Sequence, residues 1–259
     1  MSAFGRTGAP LFGLFAEGSS YTHRNRLPFE ELWKALTSRC APLGAVKVYG
    51  FDKSQIVNMR PPPGIKPARE PLDIFIDRAH RIDGFQNVII AFDAFPENEH
   101  IKPSCLRTEV NFVLEALSAS KVLDNRFRQE AARLIKHYAQ NKGIPRPKGR
   151  PPRGPLDIIY MDPMFEALLA SDEQTVLHGL GLDRRPKDWP KFKTNSKQTD
   201  RHVISQAVEV ANPNVKRKIG GNFDSRKAEW AFHIISQAGA NARIWRHAIP
   251  ERLCILTGA

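Results

Sequence analysis

Short apolar runs that end in acidic residues, separated by stretches of helical spacing, leave this chain little choice but a mainly parallel sheet wound between helices. LFGLFAE at 11–17 reads as a buried strand that presents Glu17 at its C-terminal end. Phe29, Leu32, Trp33 and Leu36 then recur at helical spacing, with Pro28 near the first turn, where its missing N–H costs little. GAVKVYGF at 44–51 is a second strand, RPPPGIKPAREP at 60–71 a Pro-rich loop, and LDIFIDRAHRI a helix.

FQNVIIAFDAFPEN at 85–98 carries the strongest strand signal, a β-branched apolar core that closes on Asp93 before Pro96 breaks it. Leu106, Val110, Val113, Leu114 and Leu117 mark an amphipathic helix, and LDNRFRQEAARLIKHYAQN marks another. GIPRPKGRPPRGP at 143–155 cannot continue it. LDIIYM at 156–161 is a further strand, and MFEALLASD opens a helix with Asp162 and Pro163 as cap and first-turn residue. The expected organisation is an α/β domain over 1–173 with a basic loop at 143–155. A basic, mainly helical C-terminal region follows over 174–259, with helices near 199–211 and 224–238.

The chain has 259 residues, 41% of them hydrophobic, which is enough to bury a core. No apolar run approaches the roughly 20 residues that span a bilayer, so no membrane partner is expected. The start, MSAFGRTGAPLFGLFAEG, makes a poor signal peptide, and the expected compartment is the cytoplasm. Cys40, Cys105 and Cys254 are widely spaced and odd in number, and read as separate buried thiols. No H-E-x-x-H pattern and no Gly-rich phosphate loop is present. The formal charge of +12 favours a polyanionic partner.

Ligands of α/β sheets gather at strand C-termini, so Glu17, Asp93 and Asp162 are expected on one rim. Any single one of these acids is explained as a helix cap or a solvated loop group. Together they suit Mg²⁺ or Mn²⁺, hard cations that take oxygen ligands and keep places for water and phosphate. A metal so held would neutralise a scissile phosphate and activate water. Asp172 reads as a helix-end residue, and Asp73, Asp77 and Asp83 as a solvated helix face.

LFAEG, with Glu17 and Gly18, resembles the glutamate motif of Toprim domains of topoisomerases, primases and OLD-type nucleases, and VIIAFDAF, with Asp93, resembles their second acidic strand. YMDPMFEALLASDE at 160–173 is similar to a Toprim-like prokaryotic family of uncharacterised proteins that carry an E-F-E-A-L-L-F-S-D stretch. Phe165, Glu166, Ala167, Leu168, Leu169, Ser171 and Asp172 match it. The resemblance implies a Toprim-like, Rossmann-like sheet and a Mg²⁺-dependent nuclease of prokaryotic antiviral defence, with a partner ATPase. Glu17 would be catalytic and a metal ligand, and Asp93, Asp162 and Glu166 would hold the metal. The usual Asp-x-Asp is replaced by Asp93, Ala94 and Phe95, so Glu97, Asp162 or Glu166 must supply the second charge. That departure leaves room for a non-catalytic module with a degenerate Toprim fold, binding nucleic acid or an ATPase.

Three basic segments supply candidate nucleic-acid contacts, with DNA ahead of RNA. They are Arg146, Lys148 and Arg150 in the Pro/Gly loop, Arg184 and Arg185 ahead of Trp189 and Phe192, and Lys216, Arg217 and Lys218 before two glycines. Trp189 and Phe192 offer base stacking or, alternatively, pin an irregular loop.

Overall fold

The computed structural model describes residues 11–18, 26–41, 45–61, 63–64, 66, 69–93, 105–140, 154–161, 165–192 and 200–257. Its four strands are β1 (Phe12–Glu17), β2 (Val46–Phe51), β3 (Asn87–Asp93) and β4 (Leu156–Met161), all parallel in the order β2-β1-β3-β4. The α/β expectation with a mainly parallel sheet is met. Helices α1 (Arg26–Thr37), α2 (Lys53–Val57), α3 (Leu72–Asp83), α4 (Cys105–Ala119) and α5 (Asn125–Gln140) fall between strands. Beyond β4 come α6 (Glu166–Ala170), α7 (Glu173–Gly179), α8 (Asp200–Glu209), α9 (Pro213–Ile219) and α10 (Lys227–Ser236). A 3₁₀ turn at Arg243–Arg246 and α11 (Ala248–Thr257) close the series. Among the described residues no helix is long and apolar enough to cross a membrane.

Both sheet faces are buried, as an all-parallel sheet requires. Leu14, Ala16, Val48, Ile89, Ala91 and Ile159 share one core with Trp33 and Leu36 of α1 and with Ile204, Trp230, Ile234 and Leu253 of the C-terminal helices. Phe15, Phe51, Val88, Ile90, Phe92 and Leu156 share the other with Ile76 of α3, Leu114 of α4 and Phe127 of α5. The basic C-terminal region is thus packed onto the sheet by the face that α1 covers. α1 carries the chain from β1 to β2 on that face, and α3 returns it across β1 to β3 on the opposite face. The winding therefore reverses between β1 and β3, a topological switch point.

Local chemistry explains the boundaries. Asp52, just past β2, caps α2: its Oδ1 accepts the Ser54 N–H at 2.9 Å, while Gln55 Oε1 accepts the Asp52 N–H at 3.0 Å. α3 ends on Gly84 at φ 68°, a left-handed conformation that glycine adopts without strain. Asp83 is not merely solvated, because Tyr49 O–H donates to it at 2.5 Å and Lys47 pairs with it across from β2. Burial opposes the Asp83 charge, but these partners outweigh it and hold the carboxyl below its usual range. Asp73 likewise accepts from Ser120 Oγ at 2.7 Å. The predicted cap at Asp162 lies outside the described residues.

Asp172, read as a helix-end residue, is the N-cap of α7, 4% exposed. Its carboxylate accepts from Thr175 N–H at 3.2 Å, Thr175 Oγ at 2.8 Å and, from far along the chain, Ile244 N–H at 3.0 Å. Burial disfavours the charge, yet these donors win and keep the carboxyl below the usual value. Asp172→Ala strands buried donors and should cost about 2–4 kcal/mol in urea unfolding. Because the folded carboxyl is depressed, its contribution is present above about pH 4 and disappears as pH falls through the folded value. The gap between wild type and Asp172→Ala should therefore close in acid; a gap independent of pH would contradict the assignment.

The thiol reading is corrected in one respect: Cys40 and Cys254 form a disulfide, with Cα atoms 4.5 Å apart and a sequence separation of 214. The pairing follows from docking α11 on the end of α1, which spacing along the chain cannot reveal.

Candidate active site

Parallel register decides which acids can meet. β1 pairs with β3 from Phe12↔Asn87 to Ala16↔Ala91, so Glu17 and Asp93 close neighbouring central strands at the same rim. Glu17 is also level with Phe51 of β2, whose carbonyl accepts the Gly18 N–H at 2.9 Å. Asp93 is level with Met161 of β4, one residue before Asp162. Gly18 passes so close to α1 that a Cβ there would lie 2.7 Å from the Phe29 ring, which sets how the chain leaves the rim. The two acids flank the switch point, where α/β sheets open a crevice between diverging helices. Only the backbone of Asp93 is described, and Asp162 lies outside the described residues.

Glu166 opens α6 and is 1% exposed. Lys227, the first residue of α10, brings its Nζ to 2.8 Å from Glu166 Oε1, outside hydrogen-bonding direction. Asp200, the first residue of α8, shares this environment: burial first, and the Glu166 charge second, push its carboxyl above the usual range. Two carboxylates and one ammonium leave a formal charge of −1. Neither Asp200 nor Lys227 was singled out from the sequence, where each is an ordinary charged residue at a helix start.

Alternation along β1 puts Glu17 on the face of Phe15, whereas Glu166 belongs with Phe165 and Leu168 in the layer on the other face. An ion shared between them would sit over the strand ends rather than on either face. Oxygen donors of this kind fit Mg²⁺, which needs only one or two carboxylates alongside water and phosphate. Among the described residues no group of three or more His, Cys, Asp or Glu side chains is gathered for a metal.

The basic segments sort differently. Arg146, Lys148 and Arg150 lie outside the described residues. Arg184 is exposed, while Arg185 pairs with Glu173 at 2.8 Å. Trp189 donates Nε1–H to the same Glu173 at 2.8 Å and stacks on Phe192 at 5.5 Å, both rings packed against the core. The two rings thus pin the loop, the alternative to base stacking. Lys216, Arg217 and Lys218 form the last turn of α9, where cations meet the helix's negative end. Lys216 donates to the Glu209 carbonyl, and Arg217 and Lys218 are exposed. Asn212 N–H donates to the Leu180 carbonyl at 2.9 Å, which ties the start of α9 to the loop that carries Arg184 and Arg185. Beside that junction an open cleft of about 450 Å³ is lined by Asp188, Trp189, Lys191 and Glu209, mixed in sign.

Among known proteins, no family model, no curated protein and no solved structure matches the chain.

Proposed function

We propose that this chain is a Toprim-like, Mg²⁺- or Mn²⁺-dependent phosphodiester-cleaving factor that acts on nucleic acid. The carrying observation is the pair Glu17 and Asp93 at the ends of β1 and β3, on either side of the switch point. Asp93, with Asp162 as the residue that follows β4 in sequence, would hold the ion, and Glu17 would move a proton or complete the metal's ligands. When bound, the ion neutralises the phosphate and lowers the pKa of water. The exposed cations Arg184, Arg217 and Lys218 contact the phosphate backbone. A partner ATPase and a role in antiviral defence are what the Toprim resemblance implies.

The purified chain should cleave DNA, and RNA less well, only when Mg²⁺ or Mn²⁺ is added. Glu17→Gln and Asp93→Asn should each lower the rate by about 10²–10⁴-fold with unchanged thermal unfolding. Metal-dependent cleavage that survives both substitutions would remove the assignment.

A second reading is a non-catalytic nucleic-acid- or ATPase-binding module. It is favoured by Lys227, whose ammonium already stands against the Glu166 carboxylate, and by Ala94 and Phe95 in place of a second acid. Its signature is binding that weakens steeply with salt, without cleavage under either metal.

A further inference from the structure

We propose that Cys40 and Cys254 form a reversible redox clasp that fixes the C-terminal helix α11 to α1. The disulfide closes a sequence separation of 214 residues at the point where α11 leans on α1. α11 holds more than its own place. Arg252 reaches Asp157 of β4, Leu253 is fully buried, and Thr257 Oγ donates to the Cys40 carbonyl at 3.3 Å. The clasp therefore secures a helix that contributes to the main core and partners a buried acid.

Two observations point to a pair suited to both oxidation states. The Cys40 sulfur is 3.9 Å from the Leu36 carbonyl and 3.8 Å from the Pro250 carbonyl, so a reduced Cys40 thiol has acceptors ready on both helices. Cys40 is 6% exposed while Cys254 is half-buried, which makes Cys254 the more open of the two residues to an incoming thiolate. The chemistry is thiol–disulfide exchange with a small thiol of the glutathione type. Its thiolate attacks Cys254 Sγ, the S–S bond breaks, and Cys40 leaves as thiolate and takes a proton. A second small thiol then attacks the mixed disulfide and releases Cys254. Two electrons and two protons pass to the protein, and one small-molecule disulfide forms. Oxidation runs the same steps backward.

The test equilibrates the full chain in glutathione buffers of graded ratio and counts alkylated cysteines by mass. Under oxidising ratios one cysteine, Cys105, should react after unfolding, and all three should react under reducing ratios, with recovery on return. Reduction should lower Tm by about 10 °C, given the length of the closed loop, and speed proteolytic release of the C-terminal segment. The double variant Cys40→Ser/Cys254→Ser should lose the reductant response, whereas Cys105→Ser should keep it. Three reactive cysteines at every ratio, or a wild-type Tm indifferent to reductant, would overturn the clasp. A response that persists in the double variant, or fails to reverse, would do the same. The wild-type measurements decide the matter even where a variant folds poorly.

Discussion

Arg252→Met should destabilise the fold by about 3–5 kcal/mol, the cost of leaving one member of a buried ion pair alone. Arg252 is 5% exposed and Asp157 3%, and one guanidinium nitrogen donates to both Asp157 oxygens, at 3.2 and 3.0 Å. Burial pushes the Asp157 carboxyl above the usual range even against the pull of Arg252, and the Glu130 charge adds to the push. A carboxyl raised in the folded state stabilises most fully below its unfolded pKa, and that contribution fades as pH rises through the folded value. With Arg252 gone the Ile158 N–H, 2.7 Å from Asp157 Oδ1, still holds the carboxyl down but the guanidinium no longer does, so the upward shift grows and the variant should melt higher at pH 5 than at pH 7. Arg252→Met combined with Asp157→Leu should recover most of the loss, because two apolar groups bury no orphaned charge. Urea unfolding followed by circular dichroism reads all of this. A single variant within about 1 kcal/mol of wild type would mean that water reaches the pair.

Lys227→Met should cost about 3 kcal/mol, and the outcome bears on function. Glu166 is almost wholly buried, its Oε2 meets no hydrogen-bond donor among the described residues, and the cation beside it belongs to Lys227. Removing the ammonium leaves the Glu166 and Asp200 carboxylates to repel each other without the cation that Lys227 supplies. Glu166→Gln in the Lys227→Met background should restore much of the stability, since an amide carries no charge to desolvate. If Glu166 is there to hold α10, Glu166→Gln will lower stability and leave any metal-dependent cleavage unchanged. If it is a metal ligand, the same change will raise the metal concentration needed for cleavage. A Lys227→Met protein as stable as wild type would show that Glu166 does not depend on this partner.

The strands, and the acids that close them, were legible in the sequence. LFGLFAE, GAVKVYGF, VIIAFD and LDIIYM are each apolar enough to be buried on two faces, and each became a strand. α1, α3, α4, α5, α8 and α10 were legible from helical spacing within a few residues of their ends. α7, α9 and α11 were not, because their apolar residues face a core completed by other helices, and α9 reads from its sequence as a charge run. Asp172 was placed correctly at a helix end, although its reach to Ile244 N–H depends on the turn before α11. Asp83 and Asp73 read as solvated because their partners, Tyr49, Lys47 and Ser120, come from other elements.

Sequence alone determined that Glu17 and Asp93 end buried strands, since hydrophobic periodicity and the residues that interrupt it are local properties. Tertiary structure decided that those strands are neighbours at a reversal of winding. It also decided that Glu166 faces Lys227 and Asp200, that Arg252 neutralises Asp157, and that Cys40 meets Cys254. Each of these depends on contacts between segments far apart along the chain. Local propensity carries no record of such contacts, because their free energy exists only once both surfaces have left water together.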